Sequence, residues 1–166
     1  MRSWIVGIAI GLLLSGSIAQ RLWVVYAPAD AVGSSVFPRL SKNGQVLATS
    51  FTFVGTDYRP RPALWRAQTG WQFLRADGSL TSNWREAVVG YLGDISYDGT
   101  VVTYMGNDIR TIFRWRMGVG VQALPASGQH GYAYLSWDGA YVVGHYGGYY
   151  VRWDAQGRME RLFAGE

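Results

Sequence analysis

Ser41-Lys42-Asn43-Gly44-Gln45-Val46-Leu47 is written twice more along the chain, as Ser96-Tyr97-Asp98-Gly99-Thr100-Val101-Val102 and as Ser136-Trp137-Asp138-Gly139-Ala140-Tyr141-Val142. Each copy opens on Ser, sets Asn or Asp before Gly, and runs into apolar residues. Gly supplies positive φ, Asn and Asp bond their own backbone two residues on, and Ser does the same more weakly. Asn-Gly or Asp-Gly beside an apolar run is a hairpin signal, and predicts a two-residue turn with positive φ at both positions.

Working outward, an aromatic strand ending in Trp follows each turn: Ala63-Leu64-Trp65, Phe113-Arg114-Trp115 and Val151-Arg152-Trp153. A further strand then closes on Leu74, Leu124 or Leu162. The turn glycines stand 55 and 40 residues apart, and the Trp residues 50 and 38. A period near 40, lengthened in the first unit, fits a four-stranded sheet repeated in a row. The extra length includes residues 55–62, whose Pro60 and Pro62 predict a loop or an edge. Residues 112–117 alternate, with Phe113, Trp115 and Met117 on one face and Arg114 and Arg116 on the other. Trp65, Trp115 and Trp153 are then expected between neighbouring sheets. Further strands are expected at 46–53, 71–75, 87–92, 101–105, 121–124, 132–135, 141–145 and 159–163.

Composition agrees with strands and tight turns. Of 166 residues, 49% are apolar, 16% are charged, 22 are Gly and 25 are aromatic (8 Trp, 11 Tyr, 6 Phe). That length suffices for one domain with a core, and the apolar content argues against disorder. There is no Cys, so this chain alone forms no disulfide, thiolate metal site or iron–sulfur cluster. The net charge of +4 is too small and too dispersed to indicate nucleic acid. Nearly all the basic residues are Arg, which reads either as GC-rich coding or as a surface for anionic or aromatic partners.

Near the amino end, Arg2 precedes an apolar run over residues 4–14 and then small residues. One reading is a secretory signal peptide cleaved after Ala19, leaving Gln20 first. The other is an uncleaved anchor. Ser3, Gly7, Gly11, Ser15 and Ala19 recur every four residues, and on a helix they form one smooth stripe with a GxxxG spacing. Trp4 and Trp23 flank the segment like interfacial anchors. Sixteen residues reach only about 24 Å at ~1.5 Å each, so a span requires the helix to continue to Trp23. The anchor is the adopted reading. Arg2 then places the body on the periplasmic side of a bacterial inner membrane; after cleavage the protein would be periplasmic or secreted.

Residues 37–48, with the Ser-x-Asn/Asp-Gly turn, resemble the blade signature of TolB-type, WD-repeat-like β-propellers, and Tyr150-Val151-Arg152-Trp153-Asp154 resembles the aromatic third strand of such a blade. Phe113-Arg114-Trp115 also resembles the core of bacterial extracellular HAF repeats. The resemblance covers about residues 37–163 and implies an all-β fold of three four-stranded antiparallel propeller-like blades, as an incomplete propeller or an open sheet stack. Propellers of this kind close with four or more blades, so three leave open edges to be covered. The expected organisation is residues 1–24 as anchor or signal peptide, 25–37 as linker and 38–166 as the β-repeat domain.

Catalytic signals are weak. Ser136, Asp138 and His145 could be drawn as a triad, but Ser136 and Asp138 belong to the repeated turn. His130 reads as a loop residue, and two His with no carboxylate pair make no zinc site. Gly118-Val119-Gly120 and Gly147-Gly148 read as hairpin turns, not phosphate cradles. No enzyme activity, cofactor or metal is expected. Tyr97 and Trp137 share one slot in successive turns, and Tyr146, Tyr149 and Tyr150 cluster around Gly147-Gly148. With Arg114 and Arg116 they are the candidate interface residues. Two functions are expected from this pattern. One is an accessory subunit, anchored in the inner membrane, whose β-domain docks on subunits of a larger membrane protein complex, a respiratory or photosynthetic complex being one home. The other is a secreted or periplasmic module for glycans or peptides.

Overall fold

The computed structural model describes residues 7–10, 23–55, 58–125, 133–146 and 148–164. The chain is all-β, in three antiparallel sheets and one two-stranded pair. Sheet I contains β3 (Ala31–Ser34), β4 (Arg39–Leu40), β5 (Leu47–Phe53), β6 (Arg61–Arg66), β7 (Gly70–Leu74) and β8 (Leu80–Thr81). Its order is β3-β5-β6-β7-β8, with β4 also pairing on β5. Sheet II is β9 (Tyr91–Ile95), β10 (Val101–Met105), β11 (Ile112–Arg116) and β12 (Gly120–Ala123). Sheet III is β13 (Tyr134–Leu135), β14 (Val142–Tyr146), β15 (Tyr149–Trp153) and β16 (Met159–Ala164). The expected linker therefore carries a strand, β3, paired with Phe51–Phe53 of β5.

The amino-terminal pair is β1 (Gly7–Ile10) with β2 (Trp23–Tyr26). Residues 1–6 and 11–22 lie outside the described residues. Most of the expected helix therefore lies there too, with Ser3, Gly11, Ser15 and Ala19 of its stripe; its described part, including Gly7, is extended strand. Among the described residues no helix is long and apolar enough to cross a membrane.

The three repeated turns share one construction, and it differs from the expected two-residue turn. The N–H groups of Ser41, Ser96 and Ser136 donate to the carbonyls of Val46, Val101 and Tyr141, closing a four-residue loop. The returning N–H of Val46, Val101 or Tyr141 goes to the Ser hydroxyl oxygen, at 2.9, 3.0 and 2.9 Å. Each Ser hydroxyl in turn donates to the Asn43, Asp98 or Asp138 side chain, at 2.7, 2.9 and 2.6 Å. The glycine N–H bonds the Ser carbonyl three residues back, and only the glycine takes positive φ, at 73, 74 and 71°. This is a loop built around a β-turn followed by a left-handed residue. The Ser hydroxyl does the work of a backbone carbonyl, which is why the motif needs Ser at its head.

The sheets pack face to face. Between I and II lie Val46, Ala48, Leu64 and Leu74 against Ile95, Val102, Tyr104 and Trp115. Between II and III lie Ile112 and Leu124 against Ala133, Val142, Val151 and Trp153. Trp115 and Trp153 are fully buried, as their alternation predicts. Their indole N–H groups donate to Arg75 O (2.8 Å) and Pro125 O (3.0 Å), each one residue past the closing Leu of the preceding sheet. Burying one such ring removes roughly 200 Å² from water, a gross gain on the order of 5 kcal/mol. The turn glycines seat against the preceding sheet as well. A Cβ on Gly99 would stand 2.6 Å from Val46 Cγ2, and one on Gly139 would stand 2.7 Å from Val101 Cγ2.

Two boundaries moved. The strand expected over 87–92 runs instead over Tyr91–Ile95, because residues 87–90 are spent tying sheet II to sheet I: Val88 N–H donates to Leu74 O and Gly90 N–H to Pro60 O, both at 2.9 Å. Pro62 lies inside β6 opposite Ser50, but β7 pairs β6 only from Ala63 onward. At Pro62 the strand has one neighbour, so the missing N–H costs no ladder bond on that side.

Candidate functional site

Repetition makes the sheets comparable position by position, and the candidate surfaces follow from that comparison. The residue before the repeat Trp is Leu64, Arg114 or Arg152. Across the hairpin it faces Gln72, Gln122 or Glu160. In sheet I, Leu64 packs in the apolar layer below sheet II. In sheet II the pair is polar, and Arg114 is nonetheless 0% exposed. Its Nη2 donates to Gln122 Oε1 (2.6 Å) and to Ala155 O (2.7 Å), and its Nη1 to Ala140 O (3.3 Å). Ala140 and Ala155 belong to turns of sheet III, so Arg114 is the polar bolt between II and III. Burial, and then neighbouring Arg116, push its pKa down, while Asp154 opposes them. Arg114 was expected on an open interface; the structure spends it inside the molecule. Arg116 is half-buried, at the end of β11.

Thr103 and Asp94 complete the same seam. Thr103 Oγ1 donates to Ala133 O (3.0 Å), and Leu135 N–H donates to Asp94 Oδ2 (2.9 Å). Neither residue stood out in the sequence, because a lone Thr or Asp in a strand has many bland uses. The parity of 94, 103, 114 and 122 across paired strands would have placed them on one face.

The turn tips form a second surface. Tyr97 and Trp137 stack at 4.6 Å between centroids and 20° between planes, as their shared slot suggested. Lys42, in the same slot of the first turn, holds Nζ 4.8 Å from the Trp137 ring. Backbone bonds run alongside, from Asn43 N–H to Tyr97 O (3.2 Å) and from Tyr97 N–H to Trp137 O (3.0 Å). Trp137 remains 58% exposed. The adjoining carboxylates are held below the ordinary Asp range. For Asp138 the causes are the Ser136 hydroxyl and then the Ala140 N–H. For Asp98 partial burial pushes upward, and the bonds from Thr100 and Ser96 together outweigh it.

A cleft opens where the first strands of the sheets converge. One lobe, of about 170 Å³, lies among Ser35, Tyr91, Thr103 and Ala133; another, of about 450 Å³, lies along Phe37, Pro38 and Arg39. Its walls are largely apolar and carry no carboxylate or imidazole.

The tyrosine cluster divides. Tyr146 and Tyr149 pack on the layer between II and III, with the Arg161 guanidinium 3.2 Å over the Tyr149 ring. Tyr150 points the other way and is 47% exposed, with His145 edge-on to it at 5.6 Å. Tyr134 (49%) and Tyr141 (40%) share that outward face. The Arg152 guanidinium lies 4.7 Å over Tyr141 and bonds Glu160. No triad can form from Ser136, Asp138 and His145. The Ser136 hydroxyl donates its hydrogen bond to Asp138, and His145 stands four strand residues beyond Tyr141, roughly 13 Å along β14. His130 lies outside the described residues. Among the described residues no group of three or more acidic or His side chains could hold a metal ion.

No protein-family model and no curated protein matches the sequence. The fold does have a match in a solved structure assigned to TolB from Agrobacterium tumefaciens, with a TM-score of 0.61 at 18% identity. The match covers 90% of this chain and 53% of that chain, so this chain spans about half the length of that structure. By fold the chain is TolB-like: all-β, with three antiparallel sheets consistent with partial β-propeller blades, two of them of the expected four strands and the first of six.

Proposed function

We propose that this protein is a non-catalytic docking subunit. Three blades stand behind an amino-terminal anchor, residues 1–24, on the periplasmic side of a bacterial inner membrane, and they stabilise a larger membrane protein complex, with respiratory and photosynthetic complexes as candidate homes. One observation carries the docking part: the outward face of sheet III leaves Tyr134, Tyr141 and Tyr150 40–49% exposed together. Clustered exposed aromatics beside an Arg are the composition of protein interfaces. The membrane part rests on the sequence pattern of residues 1–24 alone. Solubilising native membranes in mild detergent and purifying the chain tests both. The expected result is a stoichiometric membrane complex with Met1 retained. Gln20 as the first residue removes the anchor, and a lone monomer removes the subunit.

The second reading, a secreted glycan- or peptide-binding module, is favoured by the exposed Tyr97–Trp137 stack. Trp137→Ala should then abolish retention on a glycan array, and unchanged retention overturns this reading.

A further inference from the structure

The outward face of sheet III keeps the arginine with which sheet II holds sheet III, Arg152 standing where Arg114 does, while Tyr134 and Val143 stand where sheet II has Asp94 and Thr103. Five residues past the turn Ser stand Val46, Val101 and Tyr141. The first two receive the turn glycine of the next sheet, Gly99 or Gly139; Tyr141 faces outward, covered by one arginine. The residue before the Trp follows the same pattern. Arg114 delivers its guanidinium to two main-chain carbonyls of the next sheet, whereas Arg152 keeps 40% of its side chain exposed, bonds Glu160 and lies over the Tyr141 ring.

We propose that this face is an acceptor for one more blade-type β-sheet, carried by another protein, which seats a glycine turn on Tyr141 and offers main-chain carbonyls to Arg152. The identity of the occupant is argued from continuity with the seam between II and III, where the same positions already take a sheet of that kind. One change is informative: Glu160 stands where sheet II has Gln122. The carboxylate balances the Arg152 charge in advance and has a second oxygen to satisfy. The partner sheet should therefore bring an N–H or a cation to Glu160 as well as carbonyls to Arg152. A second copy of this chain fits poorly. Stacked head to tail, it would have to dock through sheet I, whose leading face is already covered, Phe53 lying flat under Trp84 at 4.6 Å and Trp71 Nε1 bonded to Tyr26 O at 2.7 Å. The inference names the face and the partner chemistry of the docking reading and rests on that reading for its biology.

The chain lacks Cys, so a single introduced thiol reports one position. The full chain carrying Tyr141→Cys is compared with two extended forms. The probe in the first is a second copy of residues 125–164 fused after Glu166, and in the second a copy of residues 87–125. Maleimide labelling of the thiol should slow at least tenfold in one or both extended forms. A Val54→Cys control should label equally in all, and Arg152→Glu should restore the fast rate. Equal labelling of Tyr141→Cys in all three chains overturns the proposal. So does slow, concentration-dependent labelling of the unextended chain at dimer mass, because the occupant is then a second copy. Either failure leaves the membrane-complex reading to its own co-purification test, and a protected thiol in a chain that purifies alone keeps the acceptor face while sinking the subunit.

Discussion

The two ends of the stack are built from the same repeat and finished differently. At the leading face of sheet I, Phe51, Phe53 and Phe73 are buried beneath Trp71, Trp84 and Ala31. Trp84 arrives on a short 3-10 turn, Trp84–Glu86, that hangs from β8. At the outward face of sheet III no such cover lies among the described residues, and tyrosines replace phenylalanines. A covered face can afford rings without polar handles; an exposed one keeps hydroxyls that bond water when it stands free and a partner when it does not. The apolar end is finished by the chain itself, and the tyrosine end is the one we propose a partner covers.

The largest expected effect sets these ends against each other. Phe53→Ala should cost about 3–5 kcal/mol by emptying a packed site, whereas Tyr134→Ala should stay within about 0.5 kcal/mol. Urea denaturation of both variants measures the difference, and equal losses would erase the contrast. Next come the paired arginines. Arg114→Leu should cost about 1–3 kcal/mol, because Gln122 and two carbonyls of sheet III lose a buried donor. Arg152→Leu should cost at most about 1 kcal/mol, as an exposed ion pair does. A large loss for Arg152→Leu in the isolated chain would mean that its face is already closed.

A smaller effect separates seam turns from free turns. Gly118 has φ 71° and nothing near its missing Cβ, so Gly118→Ala pays strain alone, about 1 kcal/mol. Gly99→Ala adds a clash with Val46 and should lower the melting temperature further. The smallest effect is acid sensitivity. The carboxyls of Asp98 and Asp138 are depressed in the folded chain, so their contribution is present above the unfolded value near ~3.9 and is lost as pH falls through the lower folded value. Asp98→Asn with Asp138→Asn should flatten stability against pH below about 4. The first turn, which has Asn43 at that place, should contribute no such slope.

Much of the architecture was legible because the repeat's chemistry is local. Ser41, Asn43 and Gly44 close their loop with bonds spanning at most five residues, and that information lies in the motif itself. The buried Trp115 and Trp153 were legible from strand alternation. The turn type was misjudged, since Asn-Gly alone suggests a tighter hairpin than one in which the Ser hydroxyl stands in for a carbonyl. The strand at β9 was misplaced because Val88 and Gly90 look like strand residues until their bonds to Leu74 and Pro60 are seen. Of the candidate interface residues, Tyr97 and Trp137 stack on each other, as their shared slot suggested, and Tyr146 and Tyr149 are half-buried against the layer between II and III.

The sequence by itself determined that there are three like units and where each one turns, because those features depend on contacts within a hairpin. It also placed Trp115 and Trp153 between sheets, whereas Trp65, expected there too, is only half-buried. Only the tertiary structure decided the fate of equivalent positions. Arg114 and Arg152 precede the same Trp in the same strand of successive sheets, yet one is sealed beneath two carbonyls and the other keeps 40% of its side chain exposed. Burial belongs to the pair of sheets, not to the residue, since water is excluded only where a second surface arrives.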